Sequence, residues 1–223
     1  MGYPLIIKAG IDATTIENIY AKVFRTQHEA PGYALLSFEG AMDSKRLRQY
    51  MVALKSGLSQ LCQKKMGEEL DYCWLARFDQ QETTKFHRDN APVDSYLMLG
   101  YEPTTIASRL QIADYHQLVT EHRIPVEEYY ASHNPMFKDG EEELKPYIQE
   151  VEGFDKAAYQ ILLLNNSDLR GAKTFGVLHK AEMLRKDPDQ ARVVNSMMLC
   201  LNASRKLTRE EERQFLETDE ISK

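Results

Sequence analysis

Cysteine is scarce in this chain, with three residues among 223. Cys62, Cys73 and Cys200 lie far apart in apolar runs, which favours reduced thiols inside a core over a framework of disulfides. Reduced thiols in turn favour a cytoplasmic protein. We therefore expect a fold that depends on its hydrophobic core and a cytoplasmic location.

Long apolar runs are missing as well. Residues 1–8 contain only a short apolar stretch, which is too short for a secretory signal peptide. No stretch approaches the roughly 20 apolar residues that a membrane-spanning helix needs. We expect no signal peptide and no association with a membrane.

An excess of positive charge is also absent. The chain has 28 Lys and Arg against 34 Asp and Glu, a formal charge of −6 at pH 7. This balance disfavours nonspecific binding to nucleic acid. There is no internal repeat, low-complexity segment or glycine-rich phosphate loop, and the 43% hydrophobic content predicts a single globular domain with ample core.

The most informative residues in the chain are His87, Asp89 and His179. His87 and Asp89 follow a short β-favouring segment at residues 83–86, and alternation along a strand places both on one face. His179 follows a second apolar segment, at residues 174–178. Two imidazoles and one carboxylate form the facial triad that suits Fe(II) and leaves coordination positions open. The alternative is a surface histidine near a surface aspartate, because His-x-Asp pairs also arise by chance.

A second set of polar residues lies on the segment 191–201. Read as a strand, this segment places Arg192, Val194, Ser196 and Met198 on one face. A guanidinium on an inward face must be paired, and the carboxylate of a small molecule can accept a bidentate bond from Arg192 with Ser196 as a further donor. The alternative is a surface arginine on a strand whose other face is buried.

The order His87-x-Asp89, His179, Arg192-x-x-x-Ser196 resembles the Fe(II)- and 2-oxoglutarate-dependent oxygenases. The resemblance spans residues 69–202. It implies that His87, Asp89 and His179 bind Fe(II), and that Arg192 and Ser196 hold the distal carboxylate of 2-oxoglutarate. It also implies a double-stranded β-helix, the jelly-roll barrel shared with cupins, and an oxygenase that converts 2-oxoglutarate and O₂ to succinate and CO₂ while hydroxylating a substrate.

The strand pattern agrees with that fold. Short β-favouring runs without intervening helices argue for a barrel or sandwich. By the usual register of the resembled family, the face of the third strand that carries Tyr101 is turned towards the cosubstrate, so Tyr101 is expected to contact it; the alternative is an ordinary core or rim tyrosine. The runs lie at residues 71–78, 83–86, 94–101, 106–114, 158–165, 174–181 and 191–202.

Helices are predicted on both sides of this barrel. Cap-type residues and apolar spacing predict a short helix at residues 12–24, and a stripe from Leu47 to Met66 predicts one of about twenty residues. At the C-terminus, Thr208 and Glu211 form a capping-box pattern, and we expect a helix with a solvated face. The predicted fold is α+β: one domain with a helical N-terminal region at 1–68 that buttresses a jelly-roll barrel at 69–203, and a C-terminal helix within 204–223.

One long insertion interrupts the predicted barrel at residues 115–155. Its acidic residues and its aromatic and methionine side chains fit a lid over a pocket, while surface elaboration is the alternative. An acidic lid would favour a cationic substrate. None of its histidines has the spacing of metal ligands. The aromatic and methionine residues are Tyr129, Tyr130, Met136 and Phe137.

The sequence therefore predicts a 2-oxoglutarate-dependent oxygenase, whose substrate class it leaves open. Two other functions share the fold. One is a cupin-like metal-binding barrel that does not use 2-oxoglutarate and has no fixed need for Arg192. The other is an interaction domain without activity, which has no need of His87, Asp89 and His179 together.

Overall fold

The computed structural model describes residues 4–8, 10–136, 140–201, 203 and 207–222. Phe137, one of the aromatic residues of the predicted lid, lies outside these ranges. The strands within them are β1 (Leu5–Ile7), β2 (Tyr33–Phe38), β3 (Leu70–Asp79), β4 (Ser95–Tyr101), β5 (Ser108–Ala113), β6 (Ile148–Glu150), β7 (Gln160–Asn165), β8 (Leu178–Met183) and β9 (Val193–Leu201). The helices are α1 (Ala13–Val23), α2 (Ser44–Met66), α3 (Tyr115–His122), α4 (Val126–Glu128, continued by a π-helical turn at Tyr129–His133), α5 (Glu141–Leu144, continued by a 3₁₀ turn at Lys145–Tyr147) and α6 (Arg209–Glu217).

The strands form two sheets. The larger has the order β1-β2-β7-β4-β9-β3, and the smaller has the order β6-β5-β8. Only the β1–β2 pair is parallel among these pairings. The prediction of an α+β fold with a strand-rich core is confirmed.

Helices α1 and α2 cover the outer face of the larger sheet. The stripe predicted for α2 is buried there, together with Tyr96, Met98, Met197 and Leu199 of the sheet. Helix α2 begins where the Asp43 side chain accepts a bond from the Arg46 backbone N–H at 2.7 Å, and it ends at Gly67, whose φ of 74° is readily adopted only by glycine. Both predicted N-terminal helices are confirmed.

The inner face of the larger sheet packs against the smaller sheet. Alternation along β4 turns Leu97, Leu99 and Tyr101 towards this inter-sheet layer, and their β9 neighbours Val194 and Met198 do the same. The layer is where residues from distant parts of the chain meet. It also contains the candidate site.

Three strands were not predicted. The run Tyr33–Phe38 is short and apolar, a pattern that does not distinguish a buried strand from part of a helix. In the structure it pairs with β7, with Leu35 opposite Leu162. Strands β1 and β6 have only three residues each, so their periodicity was too short to detect.

Two cysteines differ from the expectation. Cys73 and Cys200 form a disulfide between β3 and β9, whereas Cys62 is a buried free thiol. The pairing of these strands, with its irregularity between Tyr72 and Trp74, brings together two cysteines that are 127 residues apart in sequence. The prediction of reduced thiols was therefore wrong for this pair. Burial raises the pKa of the Cys62 thiol to about 12.

The C-terminal helix α6 has the predicted capping box. The Thr208 side chain accepts from the Glu211 backbone N–H at 3.2 Å, and the Glu211 carboxylate accepts from the Thr208 N–H at 2.8 Å. Phe215 is buried in the helix-facing core, so one face of α6 is packed and the charged face is exposed. Across the ranges that the structure describes, no helix has the length and apolarity needed to cross a membrane.

Candidate metal centre

The structure brings His87, Asp89 and His179 together. The backbone N–H of His87 donates to the His179 carbonyl at 3.1 Å, and the reverse bond is 2.9 Å. This antiparallel bridge holds the two imidazole ring centres 4.2 Å apart, and His87 Nε2 lies 3.4 Å from Asp89 Oδ1. One ligand atom from each residue lies within 4.8 Å of the other two, a spacing that a single metal ion can span.

Hydrogen bonding sets the proton position on His87. Its Nδ1 lies 2.8 Å from the Lys85 carbonyl oxygen, which can only accept, so Nδ1 carries the proton. In the neutral ring, Nε2 is therefore the unprotonated nitrogen, and it is the one that faces Asp89. A ring N–H donated to a backbone carbonyl is the usual orienting contact of a metal-ligating histidine.

The surroundings also set the charges of the three groups. Burial, with a contribution from neighbouring His87, lowers the pKa of His179 to about 4, so this imidazole is neutral at pH 7. Burial opposes ionisation of Asp89, but its contacts with His87 and His179 hold the pKa of the carboxyl below its ordinary value. Burial likewise opposes the charge on His87, but the contacts with Asp89 and with the Lys85 carbonyl outweigh it and raise that pKa. Asp89 and His179 are thus in the forms that bind metal, and a cation would compete with a proton only at His87.

Asn166 holds the backbone of Asp89 in place. Its side-chain oxygen accepts from the Asp89 N–H at 2.8 Å, and its amide nitrogen donates to the Asp89 carbonyl at 3.1 Å and to Ser95 Oγ at 2.9 Å. Arg88 adds a bond from Nε to the Asn166 carbonyl at 3.1 Å and an ion pair with Asp168 at 3.0 Å. The loop with Asp89 is therefore attached to the end of β7. Sequence reasoning missed Asn166, because its partner is 77 residues away.

Replacement of Asn166 by alanine is expected to weaken metal binding by about 10–100-fold, the usual effect of losing an outer-shell partner. The reason is that Asp89 loses both backbone bonds that set its position. Calorimetric titration of the metal-free protein with Mn(II) measures the change. Asn134→Ala is the control, since the Asn134 side chain accepts a local bond from the Met136 N–H at 3.0 Å. Equal Mn(II) affinity in both variants would contradict the assigned role.

Arg192 is 2% exposed and its guanidinium has neutral partners. Nε donates to Ser108 Oγ at 3.1 Å, Nη1 donates to the Gln80 side-chain oxygen, and the guanidinium carbon lies 5.1 Å from the ring centre of Tyr101. Nη2 is buried without a hydrogen-bond partner. Burial lowers the pKa of the guanidinium, against the effects of Tyr101 and Asp79. Among the described residues, no carboxylate forms an ion pair with this cation.

Ser196 lies on the same face of β9 as Arg192. Its Oγ is buried and has no hydrogen-bond partner, and across the sheet it is opposite Leu99. The neighbours on the other face, Asn195 and Met197, point towards the helices. The predicted inward direction of Arg192 and Ser196 is confirmed. Arg192 is therefore not the surface residue of the alternative interpretation.

A cavity of about 360 Å³ lies between the sheets and contains the candidate site. Tyr101 and Ser196 line it together with the three candidate ligands, and most of its remaining wall is apolar. Its size falls at the lower end of small-molecule sites, which span about 300–1,000 Å³. The lining residues are Trp74, Phe78, Gln80, Thr84, His87, Asp89, Asn90, Leu97, Leu99, Tyr101, Leu110, Gln111, Ile112, Leu162, His179, Lys180, Ala181, Val194 and Ser196.

The insertion at 115–155 does not line this cavity in the ranges that the structure describes. Its buried residues Tyr115, Leu118 and Tyr129 pack with Phe86 and Leu178 in a separate apolar cluster. At its C-terminal end, Val151 and Phe154 pack in the inter-sheet layer. The position of these residues fits the surface-elaboration alternative better than a lid. Gln80 and Ser108, which bind Arg192, were also missed from sequence, since nothing local to either residue indicates its partner.

Comparison of the sequence with models of known protein families gives no match, and comparison with curated proteins gives no significant match.

Proposed function

We propose that this protein is an Fe(II)- and 2-oxoglutarate-dependent oxygenase that hydroxylates a substrate and releases succinate and CO₂. The observation that carries the proposal is the buried guanidinium of Arg192. It has no carboxylate partner among the described residues, and it borders the inter-sheet layer that holds His87, Asp89 and His179. The Asp79 carboxylate accepts from the Arg192 backbone N–H at 2.8 Å rather than from the guanidinium. A buried cation without a directly paired anion is costly, so an anionic ligand is the missing partner.

The donor set fits iron. Two imidazoles and one carboxylate leave positions open on the metal, as in non-haem Fe(II) oxygenases. Bound Fe(II) would supply the activation of O₂ that couples decarboxylation of 2-oxoglutarate to hydroxylation of a C–H bond. His87, Asp89 and His179 would hold the ion, with Asn166 and Lys85 orienting two of them.

The second part of the site fits the cosubstrate. Arg192 Nη2 and Ser196 Oγ are both buried donors without partners, and a carboxylate can accept from both. Tyr101 lies beneath the guanidinium and is the proposed third contact. Arg192 is not itself a lining residue of the cavity, whereas Tyr101 and Ser196 are. The buried side chains of Leu97, Leu99 and Val194 exclude water around these two residues, which strengthens the charge pairing.

The jelly-roll arrangement of the strands is part of the same proposal. We propose a jelly-roll arrangement in which β3-β9-β4-β7 face the segment 83–87, β8, β5 and β6. Its support is the strand order of the two sheets, together with the bonds that attach this segment to β8 at Thr84 and His87. In such a fold the ligands converge between the sheets.

The test is turnover and binding of 2-oxoglutarate. The purified protein with Fe(II) in air is expected to convert 2-oxoglutarate slowly to succinate even without a substrate, and the Mn(II) form is expected to bind 2-oxoglutarate by calorimetry. Metal binding without either result would favour a cupin-like barrel. Absence of metal binding would favour an inactive interaction domain.

A further inference from the structure

The exposure of the cavity lining shows which side is open. On β4 and β9, Leu97, Leu99, Tyr101, Val194 and Ser196 are buried. On the edge strand β3 and the segment 84–90, Trp74, Phe78, Thr84 and His87 are partly exposed and Asn90 is exposed. We call this more exposed side, through which a substrate can reach the metal centre, the mouth.

Two edge segments form the mouth. Strand β3 is the outermost strand of the larger sheet, and the segment that carries Thr84 and His87 lies outside β8 of the smaller sheet. Trp74 and Phe78 are four residues apart on β3 and share the face that packs on the inter-sheet layer. They provide a flat, apolar wall beside the metal centre.

No charged side chain other than the candidate ligands is available at the mouth among the described residues. Lys180 borders the cavity, but its ammonium pairs with Glu141 at 2.7 Å and lies over the Phe86 ring at 5.1 Å. It occupies the strand position between His179 and Ala181, which face the cavity. The acidic insertion contributes no lining residue, so the expectation of a cationic substrate has no support here.

We propose that the group which the substrate presents to the metal centre is uncharged and apolar, and that it lies against Trp74 and Phe78. This inference rests on the proposed function, because it assigns Arg192 and Ser196 to 2-oxoglutarate. A charged group in the mouth would lose its hydration without gaining a partner. A ring or aliphatic group gains contact with two aromatic side chains. The cavity of about 360 Å³ has room for one such group beside the cosubstrate.

Trp74 supplies the measurement, since it is the only tryptophan in the chain. The protein is loaded with Mn(II) and saturating 2-oxoglutarate, so that 2-oxoglutarate occupies Arg192. The titration is done under nitrogen, because turnover needs O₂. Trp74 fluorescence is then titrated with three probes of one ring size: benzamide, benzoate and benzylamine. Benzamide is expected to bind at least about tenfold more tightly than either charged probe, a modest discrimination for a shaped apolar pocket.

Matched variants locate the binding. Phe78→Ala is expected to weaken benzamide binding about tenfold, whereas Phe38→Ala, a partly buried phenylalanine of the helix-facing core, is expected to leave it unchanged. Phe78→Glu, at a partly exposed position, is expected to shift the preference to benzylamine. Thermal melting of each variant confirms that it is folded.

The results separate the two proposals. Calorimetry with 2-oxoglutarate alone tests the proposed function. If 2-oxoglutarate binds but a charged probe binds as well as benzamide, or Phe78→Ala has no effect, the inference is wrong and the function stands. No response to benzamide up to its solubility limit also overturns the inference. If 2-oxoglutarate does not bind, the proposed function fails and the inference fails with it.

Discussion

Asp89→Ala is expected to reduce metal affinity by more than about 100-fold, beyond the usual effect of an outer-shell change, and to abolish Fe(II)-dependent succinate formation. Asp89 is the anionic member of the His–Asp–His set, and its pKa is held low by its histidine neighbours. Without it, two imidazoles would remain to hold a dication. Calorimetry with Mn(II) measures the affinity, and the succinate assay measures the activity.

The same variant makes a second prediction for the metal-free protein. Asp89 is the largest of the contributions that raise the pKa of His87 against the effect of burial, followed by the Lys85 carbonyl. In Asp89→Ala the desolvation remains and the carboxylate is gone, so the pKa of His87 is expected to fall below its wild-type value. NMR titration of the imidazole signals reads this shift directly. An unchanged pKa in the variant would show that another group controls His87.

Asp189→Ala is the matched control for both measurements. Asp189 is exposed on the loop before β9, and its backbone N–H bonds Asp187 at 3.0 Å. This variant is expected to keep wild-type metal affinity and wild-type histidine titration. Unchanged Mn(II) affinity in Asp89→Ala would remove Asp89 from the proposed ligand set.

Arg192→Ala is expected to lower the affinity for 2-oxoglutarate by at least about thirtyfold while metal binding remains. Loss of a charge-assisted contact whose partner is left buried costs roughly 2–5 kcal/mol. Ser108 and Gln80 also lose the donor that they share, so thermal melting is measured alongside binding. The affinity is taken from calorimetry on the Mn(II) form.

Two further variants make this result specific. Arg192→Lys keeps the positive charge but lacks the planar fork of donors, and it is expected to restore part of the affinity. Arg109→Ala removes an arginine whose side chain is 44% exposed and pairs with Glu150 and Glu182 on the smaller sheet; it is expected to have no effect. Equal 2-oxoglutarate binding in Arg192→Ala and the wild-type protein would leave the cosubstrate without its proposed anchor.

Much of the fold could be predicted from short-range patterns. The α2 stripe, the Thr208–Glu211 capping box and the inward face of β9 each depend on residues at most a few positions apart. A helical or strand period determines such relations wherever the segment folds. The strand at residues 33–38 was missed because its apolar run is short and fits both a helical and a strand period.

The sequence by itself determined that Arg192 and Ser196 share a face, since alternation along a strand needs no knowledge of the neighbouring strands. The same alternation was the reason to place His87 and Asp89 on one face, but the described residues form no strand there, and His87 makes only an isolated bridge with His179. Only the tertiary structure decided that the three candidate ligands and Ser196 line one cavity, that Asn166 holds Asp89, and that Arg192 has neutral partners and no carboxylate paired with its guanidinium among the described residues. The disulfide between Cys73 and Cys200 was also decided only by the tertiary structure. These contacts join residues that are 77 to 127 positions apart, and they depend on sheet pairing and register. Register is set by the packing of the whole core, which no local pattern contains.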